Sequence, residues 1–243
     1  MKKAILFFCL ILLMPAGSSG QEHQISVAPD TGESIIRNVL SRSRENEILK
    51  KEYLAYKRVF SIDNLDDNEQ ITDREREEVV SISFGGKEEL LEVNGKPVRK
   101  IRSTSPRFDL MNVLDALLKL DEFKIIRIDK IEDKHFYVIS FKPKPGARPN
   151  GDVEDVIVRS EGEVYIDIEK FYIKKISAKL IKKYERAWGI FNLSQANLEM
   201  EIGEFEGIMV MKYIIVIDKY WLFFRGDTFE KQMYIYKDYQ KKF

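Results

Sequence analysis

Side chains able to do chemistry are few in this chain, and they do not stand at spacings that would let them act together. Only two histidines occur, His23 and His135. Neither belongs to an HExxH helix or a metal-spaced His/Cys set, and the chain has no GxSxG elbow and no glycine-rich phosphate loop. Asp63, Asp66, Asp67 and Glu69 crowd one stretch without the alternate-position spacing of a calcium loop, so they read as solvated turn carboxylates. Asp152, Glu154 and Asp155 read the same way. A pair of carboxylates meeting across strands is the one acid–base arrangement the spacing leaves open. Lacking a nucleophile–base pair, the chain is read as a non-enzyme with no cofactor and no metal.

The single cysteine, Cys9, lies inside the apolar run Ala4–Met14 and follows Phe7 and Phe8, so it has no lipobox before it. Lys2 and Lys3 precede that run, and Pro15 and the small residues Ala16 to Gly20 close it. Eleven apolar residues are too few to span a bilayer that needs ~20, which makes residues 1–20 a cleavable secretory signal. The expected mature chain begins near Gln21, acts outside the cytoplasm, and carries neither an acyl anchor nor a disulfide. Its stability must come from packing. Removing 20 residues from 243 leaves 223, with 38 basic against 40 acidic side chains and a net charge of −2. No overall positive field attracts nucleic acid, and the local basic cluster Lys182, Lys183, Arg186 reads as a solvated face.

What the sequence offers in place of reactive groups is apolar surface at regular spacing. After a lead-in over 21–30, Ile35, Ile36, Val39 and Leu40 mark one face of a helix capped by Thr31 or Ser34 and ending near Asn46. Ser105-Pro106 opens a second helix whose stripe holds Leu110, Met111, Val113, Leu114, Leu117 and Leu118. Nearly everything else reads as antiparallel strands. Leu54, Tyr56, Phe60 and Ile62 share one parity, Asn94-Gly95-Lys96-Pro97 and Glu132-Asp133-Lys134 are turns, and KPKPGARPNGDVED reads as an irregular, mobile rim. In Leu198–Ile202 and Ile176–Leu180 apolar residues alternate with charged ones, giving a sheet with one wet face and one greasy face. Two helices are available to cover the greasy face, and such a sheet can leave a lined cavity beneath them. The aromatic content of 12% suits either a core or a pocket wall. All of residues 31–243 form one domain in this reading.

Motifs in the C-terminal half carry a family resemblance. Gly162, Val164, Tyr165, Ile166 and Asp167 match a G-x-(I/L/V)-(W/Y)-I-D strand. Tyr236, Asp238, Tyr239, Lys241 and Phe243 follow a Y-x-D-Y-x-K-F ending, with one aromatic shifted and an extra lysine before Phe243. With KKEYLAYKRVF and the EVNGKPV turn, residues 50–243 resemble a divergent branch of the LolA-like superfamily of outer-membrane lipoprotein-sorting proteins. A Trp-x-Pro element usual in that family is missing, since Gly207 is followed by Ile208-Met209-Val210-Met211. The resemblance implies a mainly β, α+β fold: an unclosed antiparallel half-barrel with a helical lid over a hydrophobic cavity. It implies a monomeric periplasmic carrier or sensor of lipoprotein acyl chains or other lipids, with envelope lipoprotein-transport components as further partners. The alternative is a structural or protein-interaction module whose concave face is a filled core. Residues expected to face a ligand are Met111, Leu114 and Leu118 of the second helix. On the sheet they are Ile166, Ile176, Leu180, Leu198, Met200, Ile202, Met209 and Met211. Burying ~14 methylenes at ~0.8 kcal/mol each would stabilise a bound chain by roughly 11 kcal/mol before ordering costs.

Overall fold

In the computed structural model, residues 31–100, 109–186 and 190–242 are described. The expected secretory signal and lead-in over 1–30, Ser105-Pro106 and Phe243 fall outside them. Helix α1 spans Gly32–Tyr53, and Thr31 caps it in a reciprocal box. The Ser34 amide donates to Thr31 Oγ1 at 3.2 Å and the Thr31 amide to Ser34 Oγ at 3.0 Å. Its apolar face is the expected one, with Ile35, Ile36, Val39 and Leu40 buried. The helix runs seven residues past Asn46, the expected end, because Glu45, Glu47, Lys50 and Lys51 keep a polar helix going after the apolar stripe stops. Asn46 lies mid-helix and reaches the sheet by polar contacts.

Twelve strands form one antiparallel sheet: β1 Leu54–Leu65, β2 Ile71–Ile82, β3 Glu88–Val93, β4 Lys96–Lys100, β5 Asp121–Ile131, β6 Lys134–Pro143, β7 Ser160–Asp167, β8 Ile173–Leu180, β9 Tyr184–Arg186, β10 Phe191–Phe205, β11 Ile208–Leu222 and β12 Gly226–Lys241. Their spatial order is β4-β3-β2-β1-β12-β11-β10-β8-β7-β6-β5, with β9 beside β10. Neighbours in sequence are mostly hairpin partners. The exception that joins the halves is β1 against β12, from Leu54↔Lys241 to Asn64↔Glu230. Among the described residues the two edges, β4 and β5, do not pair with each other. The chain passes from one edge to the other through helix α2, Leu110–Leu120, so connectivity itself lays that helix across the greasy face. This is the unclosed half-barrel with a helical lid that the sequence implied.

Inside the sheet, one core joins Phe60 of β1, Tyr234 of β12, Ile214 of β11, Met200 of β10, Ile166 of β7 and Ile139 of β6 with the apolar faces of α1 and α2. Outside, Glu201 pairs with Lys174 at 3.1 Å and Lys212 at 2.9 Å, and Tyr213 donates to Glu199 at 2.6 Å. The motif residues have physical reasons. A Cβ on Gly162 would stand 2.1 Å from the Ser177 carbonyl oxygen, so only glycine allows β7 and β8 to approach there. Asp167 Oδ1 accepts from the Glu169 and Lys170 amides at 2.9 and 2.8 Å, fixing the β7–β8 turn. Asp238 takes a positive φ of 57°, and Tyr239 beyond it donates to the Met211 carbonyl at 2.5 Å, tying the C-terminal strand across to β11.

Several sequence expectations need correction. The cap of α2 is Asp109, which accepts from the Met111 and Asn112 amides, and the helix begins at Leu110. Lys96–Lys100 continues past the Asn94-Gly95 turn as an edge strand, where Pro97 forfeits no central ladder bond. The rim expected over 142–155 is not wholly irregular. Asp152–Ile157 forms a short helix, α3.

Candidate functional site

The site expected from the sequence is apolar, so its geometry is a matter of which side chains leave space between them. Ile176 and Leu180 of β8 and Leu198 and Met200 of β10 line an apolar cavity of about 120 Å³. Val113 and Leu117 of α2 and Val153, Val156 and Ile157 of α3 form its roof. Registers Met200↔Ile176 and Leu198↔Ala178 bring these side chains onto one face without any turn between them. Ala178 contributes only a methyl group, and that shortness leaves part of the space.

Met111, Ile202, Met209 and Met211 lie elsewhere on the same face. They line a larger pocket of about 440 Å³ between the C-terminal half of α1 and the sheet. Its rim is polar, with Arg42, Glu45, Glu169, Lys170 and Glu204. Leu114, Leu118 and Ile166 belong to neither pocket. They are core, buried in the wall beside both. The expected ligand-facing residues thus share the concave side but divide among separate pockets and the packed wall.

The roof is latched by charge. Lys119 of α2 donates to Glu154 of α3 at 2.7 and 2.8 Å. Asp152 pairs with Arg186 of β9 and accepts from the Tyr184 hydroxyl at 3.4 Å. Arg159 reaches back to Asp155 at 2.8 Å. These three carboxylates, read from sequence as solvated, are helix-terminus and latch groups. Asp63 also departs from its expected role. It is fully buried on β1 and accepts from Arg74 at 2.7 Å. Asp66 is a turn carboxylate as expected, accepting from the Asn68 and Gln70 amides at 2.9 Å. Sequence reasoning missed α3 as part of the site, although Val153, Val156 and Ile157 stand at one-turn spacing after Gly151. The prolines and glycines before them masked the signal.

Burial raises three carboxyls at the ends of this face. Asp121, between α2 and β5, is pushed up to about 7 by desolvation, against the lowering charge of Lys144. Asp218 and Glu230 oppose each other across β11 and β12, and desolvation raises both. Among the described residues no group of acidic, histidine or cysteine side chains is arranged to hold a metal ion. No helix among them is long and apolar enough to cross a membrane.

The chain matches no family model and no curated protein sequence. Among solved structures it is similar to a LolA superfamily protein of Nitrosomonas europaea, with 14% identity, a TM-score of 0.36, and coverage of 88% of this chain and 94% of that one. A DUF1329 family protein of Desulfovibrio piger shows 10% identity, a TM-score of 0.36 and the same coverage. A Pseudomonas aeruginosa MucA/MucB complex structure shows 7% identity and a TM-score of 0.25, covering 87% of this chain and 99% of that one.

Proposed function

We propose that this chain is a non-enzymatic, extracytoplasmic carrier or sensor that holds an acyl chain of a lipidated protein or another lipid under its helical lid. The observation that supports it is the apolar cavity roofed by α2 and α3, whose floor is built from Ile176, Leu180, Leu198 and Met200. At ~30 Å³ per methylene, taken as the volume of a water molecule, 120 Å³ receives only about four methylenes. A longer chain requires the roof to lift. The short helix α3 is the part of the roof suited to that, since Ile157 is its one buried residue and its Lys119–Glu154 and Asp152–Arg186 pairs, partly exposed, contribute at most about 1 kcal/mol each. Methionine at position 200 adapts to chains of varied shape.

The test compares capture of a lipidated substrate protein with its cysteine-to-alanine, unlipidated form. The carrier reading expects capture of the first alone. It also expects Ala178→Leu, which fills the cavity from the floor, to lose that capture while melting no earlier than the wild type. A second reading has its own support: Leu114, Ile166 and Met200 are at most 1% exposed and sit in one continuous core. A filled core of that kind belongs to a protein-interaction module, and equal capture of both substrate forms would favour it.

A further inference from the structure

At the end of the β11–β12 hairpin the chain does the opposite of burying its apolar groups. The ladder closes at Leu222↔Gly226, and the turn between them holds Phe223 and Phe224, which are 64% and 87% exposed. Their rings stand 5.0 Å apart, edge to face, and Trp221 packs edge-on against Phe223 at 6.2 Å. The turn is not loose. The Phe223 amide donates to the Ile190 carbonyl of the adjacent β9–β10 turn at 3.1 Å, and Ile190 is itself exposed. Phe223, Phe224 and Ile190 therefore present one apolar apex. Exposed phenyl rings fixed in this way gain nothing in water, which marks a contact surface.

We propose that this apex is a membrane-docking element, inserting Phe223 and Phe224 into the interfacial region of a phospholipid bilayer. Three observations favour lipid over a protein partner. The apex described is small. Two phenyl side chains supply about 300–400 Å², against the ~800 Å² per partner of a stable protein interface. A bilayer interface, by contrast, accepts single aromatic side chains projecting from a polar collar. Arg225, at the base of the apex, is already matched by Glu75 at 2.6 Å and Glu230 at 3.4 Å. It offers little uncompensated charge to steer a charged protein surface, and a zwitterionic bilayer does not require any. Finally, the apex is continuous with the interior. Behind it Leu222, Tyr220 and Phe191 form a buried apolar cluster with Tyr184, Leu193 and Ala196, and its rings lie 5.7 and 6.1 Å apart. Ala196 also lines the cavity under α3, as does Leu180, which packs on this cluster. Docking by the apex places that apolar track between the bilayer and the cavity. The docking itself does not depend on what the cavity holds.

The test is co-flotation of the protein, recovered from the extracytoplasmic fraction, with vesicles of phosphatidylcholine and phosphatidylethanolamine. Wild-type protein is expected to float with vesicles, and Phe223→Ser/Phe224→Ser to lose about tenfold or more in partitioning. Both positions are exposed, so the melting temperature should not change. Ile48→Ser/Ile128→Ser removes exposed apolar groups from α1 and β5 and should float like the wild type. Ala178→Leu should also float normally, so failure of chain binding and failure of docking are read separately. Absence of wild-type flotation would overturn the proposal. So would equal flotation of the double phenylalanine variant, or equal loss in the Ile48/Ile128 control.

Discussion

The carboxyl of Asp121 shows how a single residue records the cost of folding this sheet around its helices. It sits where α2 ends and β5 begins, and both of its oxygens are buried without a hydrogen-bond partner. Lys144, which could neutralise it, instead donates to the Leu118 and Lys119 carbonyls at the end of α2, at 3.1 and 3.3 Å. The folded carboxyl therefore titrates near 7 rather than at its ordinary 3.8. The native state keeps this proton through a range in which the unfolded chain has lost it, so stability falls as pH rises from about 4 to 7. Asp218 and Glu230, also raised by burial, act with the same sign. Glu199 is held low by the Tyr213 hydroxyl and Asp238 by Lys57, so their contributions vanish only below the ordinary carboxylate range. Thermal melting from pH 4 to 8 is thus expected to show the highest midpoint near the acidic end. Asp121→Asn should flatten the slope, and an unchanged slope would mean that Asp121 ionises freely in the folded protein. None of this was legible in the sequence, where Asp121 is one acid among 40 acidic residues. Its burial depends on a junction between two elements. Gly162 and Asp167 were legible as motif positions, but the reason for each emerged only with the β7–β8 contact and turn.

Among the elements, α1 shows where periodicity stops being informative. Its stripe ends at Leu40, and the sequence gives no apolar reason for the helix to continue. Its polar second half is fastened to the sheet by one side-chain amide. Asn46 donates to the Met209 carbonyl and accepts from the Met209 amide, both at 2.8 Å, so a side chain completes the ladder of β11 beyond its bulge. Asn46→Ala leaves a half-buried donor and acceptor unmatched, and should cost roughly 2–3 kcal/mol. Hydrogen exchange should show the added opening in Asn46–Tyr53 and around Met209, with the Ile35–Leu40 face unaffected. Global exchange at a single common rate would show that α1 does not have two separable halves. The stripe of α2 and the alternation of β8 and β10 were fully legible, because each depends on local period alone. The strand β4 and the helix α3 were not. Both are short: β4 folds back on β3 directly after the Asn94-Gly95 turn with a proline in it, and α3 is held by the Lys119, Tyr184 and Arg186 side chains far along the chain.

Taken whole, the molecule spends its polar chemistry on holding shape and leaves its concave face apolar. The outer face is cross-linked by Lys–Glu pairs, and the lid is latched at its rim. The sequence read the fold class and the greasy face correctly because a two-sided sheet writes itself in alternation. It placed one cavity where a packed wall separates the apolar cavity under α2 and α3 from the polar-rimmed pocket beside α1, because parity says which face a residue takes but not how tightly the opposite helix sits on it. Whether the cavity under α2 and α3 carries a chain is the central claim, and it is tested most directly by native mass spectrometry of the protein purified from its own envelope without detergent, followed by solvent extraction. The account expects an adduct in the mass range of an acyl lipid or lipopeptide, present in the wild type and absent from Ala178→Leu. Protein that flies at its bare polypeptide mass in both forms, with no lipid in the extract, would contradict it.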